Sequence, residues 1–218
     1  MSEARKVLTR LGALDAKGDL TPHGRRLTRI PLTPRLAHMV AVASDQGDAL
    51  EGAKIAAVLS EPGLGGGSVD LHDRLKGLER DRSPRARDAL KLAERWARAA
   101  GGGRDGEAYA GLLLAEAFPE RIARAKGKPG EVLLASGRGA FIEPTDHLAR
   151  APWLAVAELG GGDTRDRIRL AAALDAATLE SDLAHLIEVE DRLAREPSGK
   201  PVIPVSYTHL TLPTKRIV

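Results

Sequence analysis

A change of hydrophobic period near residue 127 is the feature that most constrains this chain. Before that point apolar residues recur every three or four positions, which predicts helices that bury one face. After it, short apolar runs are separated by Gly, Pro and Asp, which predicts strands. The predicted strands lie at 132–135, 139–142, 153–159 and around the alternating segment 167–170. The pattern therefore predicts a mainly α protein with a C-terminal β part, and strands of this number suit a small barrel.

The helical part divides into segments of ordinary length. The predicted helices lie near 35–45, 49–60, 69–80, 84–100 and 105–117. Two of them show a clear buried face, which consists of Leu71, Leu75 and Leu78, followed by Ala89, Ala93, Trp96 and Ala100. Aromatic residues are only 3% of the chain, so the core must be built mainly from Leu, Ala, Val and Ile. Glycine-rich breaks at 63–67 and 101–103 predict flexible surface loops between helices.

Residues 11–40 contain the most specific local signals. A turn at Asp15–Asp19 ends a first helix, and Thr21 can cap a second helix whose first position is Pro22. Pro31 ends that second helix, because the residue before a proline avoids the α region, and Pro34 begins the next. Taken alone, this spacing fits a core segment of any small helical domain.

The residue types of this stretch, together with three later segments, resemble a known family. The segments are LGALDAKGDLTPHGRRLTRIPLTPRLAHMV at 11–40, GLLLAEAFPERIA at 111–123, VLLASGRG at 132–139 and APWLAVAEL at 151–159. They are similar to the C-terminal, helicase-associated part of bacterial DEAH-box ATP-dependent RNA helicases of the HrpB type, over roughly residues 5–190. The resemblance implies a partial winged helix at 1–30, a ratchet-like helical bundle at 31–127 and an oligonucleotide-binding-like barrel at 128–200. It also implies that the bundle and barrel line an RNA channel together with RecA-like motor domains.

The motifs of such a motor do not occur in this sequence. No Gly-x-x-x-x-Gly-Lys-Ser/Thr loop is found; Ser198–Pro201 has proline in place of the Mg²⁺-binding hydroxyl, and Gly63–Ser68 has no lysine. A DEAH sequence is also missing. We therefore expect ATP and Mg²⁺ to bind only in motor domains outside this sequence, and we expect this chain not to hydrolyse ATP alone. It is predicted to hold no cofactor or metal and no catalytic residue, and the family's helicase activity belongs to the longer protein.

Charge is unevenly distributed although the total is only +3. Residues 1–40 carry eight basic and three acidic side chains, and residues 141–200 carry seven and twelve. The best candidate surface for single-stranded RNA is the connection between bundle and barrel, because Arg and Lys bind phosphates and glycines let RNA approach the backbone. The predicted contacts are Arg121, Arg124, Lys126, Lys128 and Arg138, with Gly127, Gly130, Gly137 and Gly139 nearby. The Arg-rich segment 74–98 alternates with acids and is predicted to be a solvated helix face.

Other side chains are predicted to be structural. Phe118, Phe141 and Trp153 sit among apolar residues and are assigned to the core. The six histidines are scattered, without the spacing or acidic partner of a zinc site, at 23, 38, 72, 147, 185 and 209. The absence of cysteine suits a cytoplasmic protein, and no signal peptide or long apolar span is present.

The last eighteen residues differ in composition from the rest. Residues 201–218 are rich in Thr, Pro and β-branched side chains, which suggests a non-native segment that is disordered or loosely attached. A barrel that ended there would lose late strands and expose a sheet edge. A second functional class fits the same residues: a free-standing helical and β adaptor without an RNA role, whose basic zones keep it soluble.

Overall fold

Two short helices and a tight turn form the winged-helix part. The computed structural model describes residues 3–103, 109–161 and 166–186, together with the backbone of 188–192 and 205–209. Helix α1 spans Glu3–Arg10 and helix α2 spans Pro22–Leu27. Between them Leu14 pairs antiparallel with Leu20, so the chain reverses direction here. The winged-helix part packs on the rest of the protein through contacts of α2 with the helix that follows it, Pro34–Asp45.

One carboxylate and one hydroxyl hold this turn in place. Oδ1 of Asp15 accepts hydrogen bonds of 2.8 to 2.9 Å from the backbone N–H groups of residues 17–19. The hydroxyl oxygen of Thr21 accepts a hydrogen bond from the N–H of Gly24 at 2.9 Å, and Pro22 occupies the first turn of α2. The predicted turn and the predicted helix cap are both confirmed.

Helices α3 to α7 form the bundle. They span Pro34–Asp45, Ala49–Ser60, Leu71–Arg80, Pro84–Ala100 and Ala110–Ala117. Asp48, Asp70 and Ser83 each accept a hydrogen bond from a backbone N–H in the first turn of the helix that follows. The predicted bounds of the first four are confirmed to within two residues. Helix α7 begins at Ala110 because Tyr109 is extended, and residues 104–108 lie outside the described part of the chain.

Alanine and leucine fill the bundle core, as the low aromatic content predicts. The predicted buried faces are confirmed, with at most 6% exposure, at Leu71, Leu75, Leu78, Ala89, Ala93, Trp96 and Ala100. Small residues let the helices approach closely: a Cβ added at Gly52 of α4 would lie 2.5 Å from the Cβ of Ala43 on α3. Within the described ranges, no helix is long and apolar enough to cross a membrane.

Both glycine-rich breaks lie at the surface between helices, as predicted, although one glycine in each approaches neighbouring backbone closely. Gly65 has a φ of +76°, and a Cβ added there would lie 2.0 Å from the carbonyl oxygen of Arg74 on α5. A Cβ at Gly77 would in turn lie 2.1 Å from the carbonyl oxygen of Gly65. In the second break, a Cβ added at Gly103 would lie 2.4 Å from the carbonyl oxygen of Gly47. Glycine is used at these points for close approach, since any side chain would separate the segments.

A closed five-stranded barrel follows the bundle. Strands β1 to β5 span Ile122–Ala125, Glu131–Leu134, Gly139–Phe141, Trp153–Gly160 and Asp166–Leu174. Their order is β1-β2-β3-β5-β4, in which β1 and β4 pair antiparallel and β3 and β5 pair parallel. The oligonucleotide-binding-like barrel implied by the family resemblance is therefore present. It begins at Ile122, six residues before the expected boundary at residue 128, because strand β1 has only four residues and two of them are alanine, a weak β-former.

The barrel is complete without the last part of the chain. Since β4 and β1 close it within residues 122–174, the expectation of lost strands and an exposed barrel edge is wrong. Helix α8 follows at Ala176–Ser181, and strand β6 (Glu188–Arg192) pairs antiparallel with strand β7 (Val205–His209). The expectation of a disordered or loose tail is therefore wrong for residues 205–209. The rest of 201–218 lies outside the described residues.

The bundle–barrel junction is the contact of α5, α7 and the 3₁₀ turn before β1 with strands β4 and β5. A Cβ added at Gly111 of α7 would lie 2.3 Å from the carbonyl oxygen of Ala173 on β5. Arg74 is only 8% exposed, and its guanidinium donates hydrogen bonds to the carbonyl oxygens of Ser68 (2.6 Å) and Arg169 (3.3 Å). The junction therefore has direct backbone contact and buried polar bonds, which fix the barrel relative to the bundle.

Candidate nucleic-acid interface

The β1–β2 hairpin carries two of the predicted RNA-binding cations at its tip. Two backbone hydrogen bonds close the tip, from the N–H of Lys126 to the carbonyl oxygen of Glu131 (2.9 Å) and from the N–H of Glu131 to that of Lys128 (3.0 Å). Gly127 has a φ of +94° and no atom within 4 Å of an added Cβ, whereas Gly130 is hydrogen-bonded to the loop before β4. Lys126 and Lys128 therefore stand exposed on a tip with a fixed base.

Arg124 continues this surface along the barrel wall. It lies on β1 opposite Leu133 of β2 and Trp153 of β4. Its neighbour Ala123 is fully buried, so the alternation of the strand directs Arg124 outward, where it is exposed. Arg124, Lys126 and Lys128 are called the hairpin cations below. Their alternate spacing places three positive charges along one short strand and its loop.

Arg121 has a different environment, although it is only three residues from Arg124. It ends the 3₁₀ turn Pro119–Arg121, and its guanidinium donates a hydrogen bond to the carbonyl oxygen of Ala157 on β4. The same guanidinium lies 4.9 Å from the ring centre of Phe118. Burial lowers the pKa of Arg121 below its usual value, against the opposing effect of Glu120. The guanidinium of Arg121 therefore binds groups of the bundle–barrel junction.

Arg138 lies in the β2–β3 turn and is paired with an acid. Its guanidinium is 2.6 Å from the carboxylate of Asp166, whose side chain is 6% exposed, while that of Arg138 is 68% exposed. Asp166 stands at the start of β5, next to β3 in the parallel ladder. The pair neutralises a buried carboxylate, so Arg138 has a structural partner that the sequence pattern does not show. The five predicted cations therefore separate into three exposed hairpin cations and two that are bound within the fold.

The aromatic residues divide in a similar way. Phe118 and Trp153 are half-buried against the main core cluster, as predicted. Phe141 is half-buried but belongs to neither core cluster, because it lies between two inward-facing neighbours, Ala140 and Ile142, and strand alternation turns it to the outer face. The assignment of Phe141 to the core is therefore wrong.

Three histidines that look scattered in the sequence meet around one glutamate. Nε2 of His23 lies 2.9 Å from Nδ1 of His38, and Nε2 of His38 lies 3.5 Å from a carboxylate oxygen of Glu116. Nε2 of His185 lies 3.2 Å from the other oxygen of Glu116. The prediction that no histidine has an acidic partner is wrong here. No local pattern reveals this group, because its members come from four separate elements.

Another histidine, His147, pairs with an acid where the barrel meets α5. Asp70 is 9% exposed; its Oδ1 caps α5 and its Oδ2 lies 2.7 Å from Nε2 of His147. Asp73 is close by, so these three residues offer ligand atoms within 4.8 Å of one another. Oxygen atoms of both carboxylates already accept protein hydrogen bonds, including one from Ser68 to Asp73. The arrangement caps a helix and joins bundle to barrel.

Comparisons with known proteins agree with this architecture. Residues 4–32 match the winged-helix helicase associated domain (HA2) family. The ATP-dependent RNA helicase HrpB of Escherichia coli (strain K12) is 34% identical over 193 residues, which are 86% of this chain and 23% of that protein. A crystal structure of the E. coli DExH-box NTPase HrpB matches with a TM-score of 0.77 at 30% identity, over 94% of this chain and 24% of the other.

A second crystal structure, of the Escherichia coli DEAH/RHA helicase HrpB, matches with a TM-score of 0.78 at 27% identity, over 98% of this chain and 26% of that one. The chain thus spans about a quarter of the length of the relatives that it matches. The similarity to these relatives, in both sequence and fold, extends over nearly all of this chain. This chain therefore corresponds to a part of HrpB-type helicases, the region that contains the helicase-associated winged helix.

Proposed function

We propose that this chain supplies the RNA-contacting accessory part of an ATP-dependent RNA helicase, and that the hairpin cations hold the phosphates of a single strand. The single observation that carries the proposal is the exposed group Arg124, Lys126 and Lys128 on the wall and tip of one hairpin. Support also comes from a relative named as an ATP-dependent RNA helicase, at 34% identity. In this proposal the partners are RNA and the RecA-like motor domains of the same helicase, in the cytoplasm.

The proposed contact is electrostatic and does not select a base sequence. Arg and Lys side chains neutralise phosphates and release counterions, whereas base recognition needs groups that read base edges. The open φ-positive Gly127 between Lys126 and Lys128 leaves room for a phosphate group near the backbone. Binding should therefore weaken steeply with salt and change little between RNA sequences of equal length.

ATP hydrolysis is proposed to take place in the motor domains. The glycine-rich segment 63–68 does not fit a nucleotide phosphate, because it has no lysine and Gly65 packs against the backbone of α5. The second fragment, 198–201, lies outside the described residues. We expect the isolated chain to bind RNA equally well with and without ATP.

The test is fluorescence anisotropy of a labelled single-stranded RNA titrated with the full chain over a range of salt concentrations. Replacing all three hairpin cations, by Arg124→Gln, Lys126→Gln and Lys128→Gln, removes up to three phosphate contacts. The slope of log affinity against log salt should then become less steep by about 2, since each contact on a single strand contributes about 0.7. Circular dichroism would show that the variant remains folded.

A matched control changes the same charge on another surface. Arg87→Gln, Lys91→Gln and Arg95→Gln alter the exposed face of α6 at four-residue spacing. This variant should keep the original slope. A slope that falls in the α6 variant and not in the hairpin variant would place the site on the bundle instead, and no binding by the folded chain at low salt would overturn the proposed RNA contact.

A further inference from the structure

Four titratable side chains form a continuous row where the winged-helix part meets the bundle. The row runs from His23 on α2 through His38 on α3 and Glu116 on α7 to His185, in the 3₁₀ turn Ala184–Leu186 after the barrel. The rings of His23 and His38 meet edge to face, with centres 5.1 Å apart. Glu116 and His38 are largely buried, at 10% and 13% side-chain exposure. Four elements of the fold are thus joined by contacts between titratable side chains.

The geometry fixes how this row can hold its protons. The 2.9 Å contact between His23 Nε2 and His38 Nδ1 accommodates one proton, so one ring must donate and the other must accept. When both rings are neutral, His38 can accept from His23 and donate from Nε2 toward Glu116. When both rings are protonated, two N–H donors face each other and the contact cannot form.

The two rings have charged neighbours of opposite sign. His38 stands beside Glu116, so protonation there forms an ion pair with a largely buried carboxylate. His23 stands beside Arg26, whose charge opposes protonation, although Asp45 partly offsets it. The remaining charged groups that face the row are Arg10, Arg35 and Glu120, which line the small cavity next to His38 and Glu116, and Arg35 is paired with Glu120 at 2.9 Å.

We propose that the row His23, His38, Glu116 and His185 is a pH-sensitive link that holds the winged-helix part on the bundle at neutral pH and weakens that hold in acid. The contact of His38 with Glu116 joins α3 to α7 and remains when the His38 ring carries a charge. A proton on His23 as well as on His38 breaks the contact between α2 and α3. Arg26 remains attached to the carbonyl oxygen of Ala100 at 2.9 Å, so α2 loosens at its His23 end and does not detach.

The electrostatics of His23 agree with this sequence of events. Burial, then His38 and Arg26, lower the pKa of His23 below its ordinary value of 6.5. A histidine whose pKa is lowered in the folded state favours the neutral form there. The fold therefore loses stability as the pH falls from about 6.5 toward the lowered pKa of His23.

Two measurements on the full chain test the link. Imidazole ¹⁵N signals followed by NMR should show that His23 titrates below its ordinary pKa of 6.5. Hydrogen exchange of the α2 amides, corrected for intrinsic rates, should show opening that is several-fold more frequent at about pH 5.5 than at about pH 7.5, on either side of the usual imidazole pKa.

The variant His23→Gln separates titration from packing. Glutamine can donate to His38 when that ring is neutral and accept from it when it is protonated, so the pH dependence of α2 opening should disappear. His72→Gln, at an exposed ring on α5, should retain it. Equal pH dependence in wild type and His23→Gln would overturn the proposal. Should that variant fail to fold, a pKa of His23 at or above its ordinary value of 6.5 in the wild type would overturn it equally.

Discussion

Arg121 and Arg124 are three residues apart in the chain, yet one lies in the bundle–barrel junction and the other on the β1–β2 hairpin. The first ends a 3₁₀ turn, so its guanidinium reaches the carbonyl oxygen of Ala157 and the ring of Phe118. The second follows a fully buried alanine on β1 and is directed to solvent. A basic cluster in a sequence therefore contains two kinds of cation, and the element that carries each one decides whether it can meet a ligand.

The two regions also differ in how closely their backbones approach. At the junction, helix α7 touches β5 without an intervening side chain at Gly111. At the hairpin and the turn that follows β2, Gly127, Gly137 and Gly139 have nothing within 4 Å of an added Cβ. The junction is thus intolerant of an added methyl group at Gly111, whereas Gly139 on β3 has both the space and the backbone conformation for one.

The largest expected effect is that of Gly111→Ala. The added methyl group would lie 2.3 Å from the carbonyl oxygen of Ala173, so α7 and β5 must separate. We expect the free energy of unfolding to fall by about 3 kcal/mol, as for an overpacked core. Urea unfolding measures this change. Gly139→Ala is the matched control on the open side, and a comparable loss in that variant would show that the two regions do not differ as described.

The next effect is expected for Arg121→Gln. The change removes the interaction with the Phe118 ring and weakens the hydrogen bond to the carbonyl oxygen of Ala157, so unfolding should become easier by about 1 to 2 kcal/mol. The salt slope of RNA binding should stay unchanged, because this cation is bound within the junction. A less steep salt slope with unchanged stability would instead place Arg121 among the RNA contacts.

Local patterns in the sequence predict much of this fold. The capping of α2 by Thr21 and of α6 by Ser83 depends on residues within four positions of each other, and so does the buried face that includes Trp96. The alternation of β3 predicts the outward position of Phe141, whereas hydrophobicity alone predicts a core position. Strand β1 is hard to recognise because it has only four residues, two of which are alanine, a weak β-former.

The partners of the charged residues could not be predicted in the same way. Arg138 meets Asp166 because β3 and β5 are parallel neighbours in a closed barrel, which is a property of topology and not of spacing. His38 meets Glu116 because α3 packs on α7. A sequence gives the candidate cations of a binding surface, whereas the fold decides which of them the structure itself uses.

A smaller effect is expected at the Arg138–Asp166 pair. Arg138→Gln leaves the largely buried carboxylate of Asp166 without its cation, while Asp166→Asn leaves an exposed arginine that water can solvate. We expect a loss of about 1 kcal/mol for Arg138→Gln, since one partner is exposed, and a smaller loss for Asp166→Asn. The double variant gives the coupling energy by a double-mutant cycle. Strict additivity would mean that Arg138 is as independent of the fold as the hairpin cations.

The smallest effect concerns the titratable bond of the junction, between His147 and Asp70. The hydrogen bond to Asp70 raises the pKa of His147, so its stabilising contribution is complete below the unfolded pKa of about 6.5 and is lost as the pH rises through the raised value. Its ring is 62% exposed, so solvent screening limits the contribution to about 0.5 kcal/mol. Urea unfolding near pH 6 and pH 8, flanking about 6.5, should show this loss in the wild type and little of it in His147→Gln.

Asp70→Asn is a second variant for the same urea unfolding experiment. Asparagine can still cap α5, whereas the negative charge that stabilises the His147 imidazolium is removed. Its pH dependence should match that of His147→Gln. The sign is opposite to that expected for His23, so acid should strengthen the attachment of the barrel while it weakens that of the winged-helix part. If both contacts responded to pH in the same direction, the charge of Asp70 would not be what distinguishes the junction from the contact between α2 and α3.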